Sequence, residues 1–321
     1  MNVLITDAEY PNIDIERAVL EKAGLQVKRA HCHTAEDVIH AGQGAQVLVS
    51  QYAPITRAVL EQLPDVRLVC RYGVGVDTID LDAATELGVW VAHVPDYGVE
   101  EVASHALAMA LAMVRHLPWY DREIRAGHWH FLSTGSLRRP SSLTFGIVGM
   151  GRIGRAVAAR ARPCFGRLLG YDPFLPDDDW PEGVERVELA SLFAQSQVVS
   201  LHLPLTEQTH GLVNRTVLEK MPEGSYLVNT SRGGLIDVED VLQVLDTGHL
   251  AGAALDVLPH EPPPSEHRVL QHPRILLSPH AAWYSVEAEA ELRRKVALNI
   301  IAWARDGRPL YPVVEGRTCK S

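Results

Sequence analysis

Between residues 143 and 162 the chain reads LTFGIVGMGRIGRAVAARAR, and no other stretch limits its fold as tightly. The apolar run Leu143–Val148 leads into Gly149, Gly151 and Gly154 at GxGxxG spacing, and the helical pattern that follows is stopped by Pro163. The glycines have separate tasks. One permits the tight turn, one lets backbone approach a pyrophosphate, and one lets helix and strand pack closely. The helix start then offers free N–H groups and a positive dipole end to an anion. About 20 residues further on, Asp172 closes the next apolar run, where a carboxylate accepts hydrogen bonds from ribose hydroxyls. Its charge repels a 2′-phosphate, which favours NAD over NADP.

Short apolar runs alternate with helical patterns on both sides of this turn. Before it come Val3–Ile5, Val47–Val49, Leu68–Cys70 and Val89–Ala92; after it come RLLGYD, VVSLHL, SYLVNT, AGAALDV and RILLSPH. Such alternation implies βαβ units and parallel sheets. A length of 321 residues exceeds what one core usually holds. The expected fold is therefore α/β, with two doubly wound domains. Between the two series, positions 99, 102, 103, 106, 107, 110, 111 and 114 are all apolar, the stripe of one helix face. Met109 and Met113 lie off that stripe, so the helix is apolar on more than one side. Burial in its own domain and burial against a second subunit both fit.

A net charge of −10 argues against sequence-independent binding of nucleic acid, which needs clustered cations. Cys32, Cys70, Cys164 and Cys319 form no metal-ligand or CxxC spacing, which suits a reducing, cytoplasmic setting. The amino-terminal segment has no signal-peptide pattern, and Ala106–Val114 is too short to span a bilayer. His31 and His33, like His128 and His130, form pairs without an apparent third ligand, so no metal site is expected.

Four ionisable residues fall at the ends of apolar runs downstream of the glycine turn. They are Arg232 in NTSRGGLID, Asp256 and Glu261 in LDVLPHEPPP, and His280 in LLSPHAAW. Each alone is an ordinary surface or turn residue. Ligands of open α/β sheets bind beyond the carboxyl ends of the strands, so together they mark a site.

The ordered set RYGVGVDTID (71–80), GMGRIG (149–154), NTSRGGLID (229–237), LDVLPHEP (255–262) and SPHAAW (278–283) resembles the D-isomer-specific 2-hydroxyacid dehydrogenase family over essentially the whole chain. VPDYGVEEVASHA (94–106) and HAAWYS (280–285) most resemble the branch of the C-terminal-binding proteins and their bacterial relatives. The resemblance implies two Rossmann-like domains with a cleft between them. Residues 1–98 and 284–321 would form a flavodoxin-like substrate domain, and residues 99–283 the NAD-binding domain. It implies Arg232, Glu261 and His280 as catalytic residues, and Val74 and Gly75 as the loop holding a substrate carboxylate. Cofactor contacts would come from Gly149, Gly151, Arg152, Ile153, Gly154, Asp172, Pro204, Thr209, Thr230 and Asp256, the last near the nicotinamide carboxamide. Tyr72 and Trp283 are candidate walls of the substrate pocket, Tyr52 is a candidate to line the same space, and Trp119 is expected to reach the cleft, from its own or a neighbouring subunit.

The chemistry expected is hydride transfer between NAD(H) and C2 of a 2-hydroxy or 2-oxo acid. His280 would exchange the proton on oxygen, Glu261 would favour the imidazolium from the other ring nitrogen, and Arg232 would hold the carboxylate and polarise the carbonyl. Two alternatives stay open: an NAD(H)-sensing scaffold resembling a corepressor, and a hydroxypyruvate or glyoxylate reductase. A homodimer through the 99–114 helix region is expected. Ser231, Gly98 and the stop at Arg162–Pro163–Cys164 depart from the commonest family pattern and leave the chemistry untouched.

Overall fold

The computed structural model describes residues 1–317, so Cys319 lies outside the described residues. The strands, in chain order, are β1 (Asn2–Ile5), β2 (Gln26–Arg29), β3 (Val47–Ser50), β4 (Leu68–Arg71), β5 (Trp90–Ala92), β6 (Thr144–Val148), β7 (Arg167–Tyr171), β8 (Glu185–Arg186), β9 (Val198–Leu201), β10 (Ser225–Asn229), β11 (Leu250–Leu255), β12 (Ile275–Leu277) and β13 (Pro312–Val314). They form two sheets in two compact units, Met1–Gly98 with Ser285–Ser321, and Val99–Tyr284.

In the first unit the strand order is β13-β5-β4-β3-β1-β2, parallel except where β13 runs back along β5. The central strand VLVS is buried at every position, the unbroken apolar pattern of a parallel strand covered on both faces. The carboxyl-terminal helix Val286–Asp306 packs against the helix Asp14–Lys22. A buried ion pair joins them: Arg293 Nε and Nη2 each lie 2.9 Å from a carboxylate oxygen of Glu16. The Tyr72 hydroxyl donates to Glu16 Oε1 at 2.8 Å. Tyr72 was expected to line the substrate pocket. It is instead 1% exposed and packs edge-on against Tyr10, where burial and the Glu16 charge hold its hydroxyl pKa well above the usual value. Its place directly after β4 makes it an anchor for the following loop.

The second unit carries a parallel seven-stranded sheet in the order β12-β11-β10-β9-β6-β7-β8. The chain leaves β6 towards β7 and β8, then returns to the other side of β6 at β9. This reversal is where open α/β sheets bind ligands. The helix Val99–Val114 packs on the helix Arg152–Ala161 and on β10. Ala103, Ala106, Met109, Ala110 and Met113 are all in the core of this unit, and of the helix's apolar residues only Ala108 is exposed. Much of the surplus apolar side is thus covered internally, while Val99, Leu107, Leu111 and Ala112 stay partly exposed. Trp119, expected to reach the cleft, is buried instead. Its Nε1 donates to the Pro273 carbonyl at 2.8 Å and Arg274 stacks over the ring.

Among the described residues no helix is long and apolar enough to cross a membrane, and no group of three His, Cys, Asp or Glu side chains is placed to hold a metal ion.

Candidate active site

The glycine turn after β6 is built as the spacing requires. Gly149 has φ +95°, and a Cβ on it would fall 2.3 Å from the His202 carbonyl oxygen. A Cβ on Gly154 would fall 1.9 Å from the Gly149 carbonyl oxygen, so helix and strand meet there. A Cβ on Gly151 would meet nothing within 4 Å. Gly151 is also the N-cap of the helix Arg152–Ala161 and supplies no side-chain cap. Among the described residues the N–H groups of Arg152 and Ile153 have no acceptor. Open space, free N–H groups and a helix dipole together fit a pyrophosphate.

Asp172 follows β7. Its Oδ2 accepts from Met150 N at 2.9 Å, and its Oδ1 accepts from Phe174 N and Leu175 N at 2.9 and 3.2 Å. The carboxylate therefore holds the glycine turn in shape while remaining partly exposed. At the end of β10 the Thr230 Oγ1 is buried without a partner among the described residues, a polar atom left for a ligand. Thr209 is used differently, since its hydroxyl donates to the Pro204 carbonyl at 2.7 Å and closes the turn after β9. These residues fit a dinucleotide at the carboxyl ends of β6, β7, β9 and β10.

The segment after β12 holds His280 in a left-handed conformation, φ +52°, which non-glycine residues seldom adopt. Its backbone N–H donates to the Asp256 carbonyl at 2.7 Å. Asp256, at the end of β11, was expected to touch the cofactor. Its side chain is 1% exposed and both oxygens are occupied inside the protein. Oδ1 accepts from Ser278 Oγ and from Ala281 N at 2.9 Å, and Oδ2 from Ala282 N at 3.0 Å. Asp256 thus builds the turn that presents His280.

His280 Nδ1 lies 2.6 Å from Glu261 Oε2, and Glu261 Oε1 accepts from Leu258 N at 2.7 Å. Burial pushes the Glu261 pKa up, but the His280 hydrogen bond and charge, the Leu258 N–H and the Arg232 charge outweigh it and hold the carboxyl below its ordinary value. Glu261 is an anion at neutral pH, so His280 Nδ1 is the donor of that bond. No protein group among the described residues takes His280 Nε2.

Arg232 leaves β10 in the segment NTSRGG. Asn229 Nδ2 donates to its carbonyl at 2.9 Å, and Ser231 Oγ donates to the Leu201 carbonyl at 2.7 Å. Gly233 lies against the Leu258–Pro259 backbone, where a Cβ would fall 1.9 Å from the Leu258 carbonyl carbon. That approach brings the Arg232 segment to the Glu261 segment. Trp283 is half-buried three residues past His280 and meets Tyr284 edge-on.

In the first unit the loop after β4 turns at Gly73, φ +135°. Its carbonyls are held from the segment after β5: Val94 N donates to the Gly73 oxygen at 2.9 Å, and His93 Nδ1 donates to the Val74 oxygen at 2.7 Å. Among the described residues the N–H groups of Val74 and Gly75 have no acceptor. Two adjacent free N–H groups make an anion-holding nest. His93 was not picked out in the sequence, nor were Ser278 and His105, which stand behind Asp256.

Residues 107–282 match the model of the D-isomer specific 2-hydroxyacid dehydrogenase NAD binding domain. The chain belongs to the D-isomer specific 2-hydroxyacid dehydrogenase family. A glyoxylate reductase of Korarchaeum cryptofilum is 39% identical over 260 residues, covering 80% of this dehydrogenase and 78% of its relative. A D-3-phosphoglycerate dehydrogenase of Bacillus subtilis is 32% identical over 299 residues, 92% of this chain, which spans only 56% of that longer protein. A D-lactate dehydrogenase of Aquifex aeolicus, solved with NAD and lactic acid, superposes with a TM-score of 0.87 at 26% identity over 96% of this chain and 99% of that one. The dehydrogenase is accordingly an NAD-dependent oxidoreductase of the CH–OH group of 2-hydroxy acids.

Proposed function

We propose that this dehydrogenase reduces a small 2-oxo acid of the glyoxylate or hydroxypyruvate type with NADH, His280 donating the proton. The observation that carries the reading is the His280–Glu261 contact of 2.6 Å, with Nε2 left without a protein partner among the described residues. Bound nicotinamide supplies the hydride to C2. His280, protonated on both nitrogens, gives the Nε2 proton to the oxygen where negative charge develops, and in the reverse direction takes it back. Glu261 holds the resulting charge on the ring and fixes its orientation. A positioned acid of this kind contributes ~10²–10⁴-fold. Arg232 offers a planar fork to the carboxylate and carbonyl oxygens. The Val74 and Gly75 N–H groups hold the carboxylate, and Trp283 bounds the substituent on C2. Gly149 to Gly154 cradle the pyrophosphate, Asp172 takes the ribose hydroxyls and selects NAD over NADP, Thr230 offers its hydroxyl near the nicotinamide, and Pro204 and Thr209 shape the adjoining turn.

The choice of a small oxo acid is supported by the glyoxylate reductase relative, and the longer phosphoglycerate dehydrogenase makes a phosphorylated hydroxy acid the chief competitor. The assembly proposed is a homodimer in the cytoplasm, its contact moved from the 99–114 helix to the segment after it. There Trp129, Phe131 and Leu132 are 84%, 74% and 52% exposed. Apolar exposure of this kind is usual at subunit interfaces. The test is NADH oxidation across a panel of glyoxylate, hydroxypyruvate, pyruvate, phosphohydroxypyruvate and aromatic 2-oxo acids. Highest kcat/KM on the first two supports the reading. Highest kcat/KM on the phosphorylated acid overturns the substrate class. NADH binding that drives assembly with no turnover on any acid favours the scaffold.

A further inference from the structure

The turn carrying His280 hangs on a buried carboxylate, and behind that carboxylate stands a histidine 173 residues before Ser278 in sequence but adjacent in space: Ser278 Oγ gives its proton to Asp256 Oδ1 and lies 2.9 Å from His105 Nε2. A hydroxyl has one proton to give. Since Asp256 takes it, the Ser278 oxygen must accept from His105, so His105 carries its proton on Nε2. That nitrogen is also 3.7 Å from Asp256 Oδ1. His105 sits on the helix Val99–Val114, whose neighbouring positions Ala103 and Ala106 are fully buried in the unit's core. It is therefore fixed to a rigid element, while Pro279–Ala282 is an irregular loop.

We propose that His105 is a positioning residue for the proton-transfer histidine, acting through Ser278 and Asp256 and never touching substrate. It orients the Ser278 hydroxyl so that Asp256 keeps three donors. Asp256 in turn fixes the N–H groups of Ala281 and Ala282 through its side chain and that of His280 through its carbonyl. Those three backbone bonds keep His280 at φ +52° with Nδ1 on Glu261. Without the His105 donor the Ser278 hydroxyl is free to rotate, the set around Asp256 loosens, and the left-handed turn loses what enforces it. A displacement of the ring by about 1 Å costs up to ~100-fold in rate. The proposal rests on His280 being the acid, but its geometry can be read without turnover.

The experiment compares wild type with His105→Leu, which removes the donor, His105→Gln, which restores an N–H at a similar reach, and Ser278→Ala. Two readouts are taken: kcat and KM with NADH and the best 2-oxo acid of the panel, and the ¹H–¹⁵N signal of the His280 ring N–H bonded to Glu261, assigned by its loss in His280→Gln. The expected result is a ~10- to 100-fold lower kcat in His105→Leu and Ser278→Ala with the NADH dissociation constant unchanged, and substantial recovery in His105→Gln. The downfield ring signal should weaken or exchange-broaden in the first two and return in the third. Wild-type kcat and an intact signal in His105→Leu would overturn the proposal, as would a His105→Gln protein no better than His105→Leu. If His105→Leu does not fold, Ser278→Ala decides alone. Should wild type reduce no 2-oxo acid while the ring signal still follows the His105 series, the positioning role stands and the catalytic reading falls.

Discussion

His116 makes the stability of the second unit depend on pH well above the range where carboxylates titrate. It is 4% exposed, in the left-handed region at φ +55°, with Nε2 2.9 Å from the Tyr226 hydroxyl and Nδ1 3.2 Å from Thr134 Oγ1. Burial first, then the charges of Arg274 and Arg115, against the Thr134 hydrogen bond, lower its pKa from 6.5 to about 4. The unfolded chain therefore binds a proton at this site between about pH 6.5 and 4 while the folded chain does not. Stability rises with pH across that window and is lost as pH falls through it. The full effect is roughly 3 kcal/mol, of which about 2 kcal/mol is gone by pH 5, against a typical total of 5–15 kcal/mol. His202, partly buried and lowered to about 3 by burial, acts in the same direction. The assay is urea unfolding at pH 7, 6 and 5, followed by tryptophan fluorescence, on wild type and His116→Asn. Asparagine tolerates φ > 0 and keeps a side-chain donor and acceptor but does not titrate. Wild type should lose stability steeply below pH 6.5, and the variant should lose about 2 kcal/mol less between pH 7 and 5. Equal slopes in the two proteins would show that His116 is not a buried neutral imidazole.

Three further outcomes test the site. His280→Gln should lower kcat by ~10²–10⁴-fold while the NADH dissociation constant, read by fluorescence quenching, stays within about two-fold; an equal loss of NADH binding would remove His280 from the chemistry. Asp172→Ser should lower kcat/KM with NADH by about 10- to 100-fold and narrow the preference over NADPH, and an unchanged NADH/NADPH ratio would assign Asp172 to the shape of the glycine turn alone. Gly151→Val should fold, because its Cβ would meet no atom within 4 Å, yet lose NADH binding by at least about ten-fold; Gly154→Val should fail to fold, because its Cβ would fall 1.9 Å from the Gly149 oxygen, so calorimetry and NADH titration separate the two.

The α/β class was legible because the glycine turn and the near-continuous apolar runs of β3, β6 and β9 each encode a buried parallel strand and its ligand end. The strands missed are those with least to bury. β2 reads QVKR at the sheet edge with alternating exposure, β8 is two exposed residues, and β13 is a short return strand against β5. An edge strand is covered on one side only, so its sequence carries half the apolar signal. The apolar excess of the helix Val99–Val114 was visible, but a sequence does not say which surface covers it; here that surface is the helix Arg152–Ala161 and β10.

At the candidate site, placement was legible wherever a side chain is itself the proposed chemical group: the structure brings Glu261 to His280 Nδ1 and sets Arg232 after β10. Where the work is done by backbone, the sequence misleads. Nothing in the side chains of Ala281 and Ala282 marks them, yet both matter for the N–H groups they donate to Asp256. The same inversion explains Asp256, which sits where a cofactor contact was expected and spends both oxygens on the turn instead. It also explains Tyr72, an aromatic beside the carboxylate loop whose hydroxyl is committed to Glu16. In each case a polar side chain next to a reactive segment is consumed in holding that segment still. The residues that hold it, His93 behind Val74 and His105 behind Ser278, lie 19 and 173 positions away along the chain, a separation that no local pattern records.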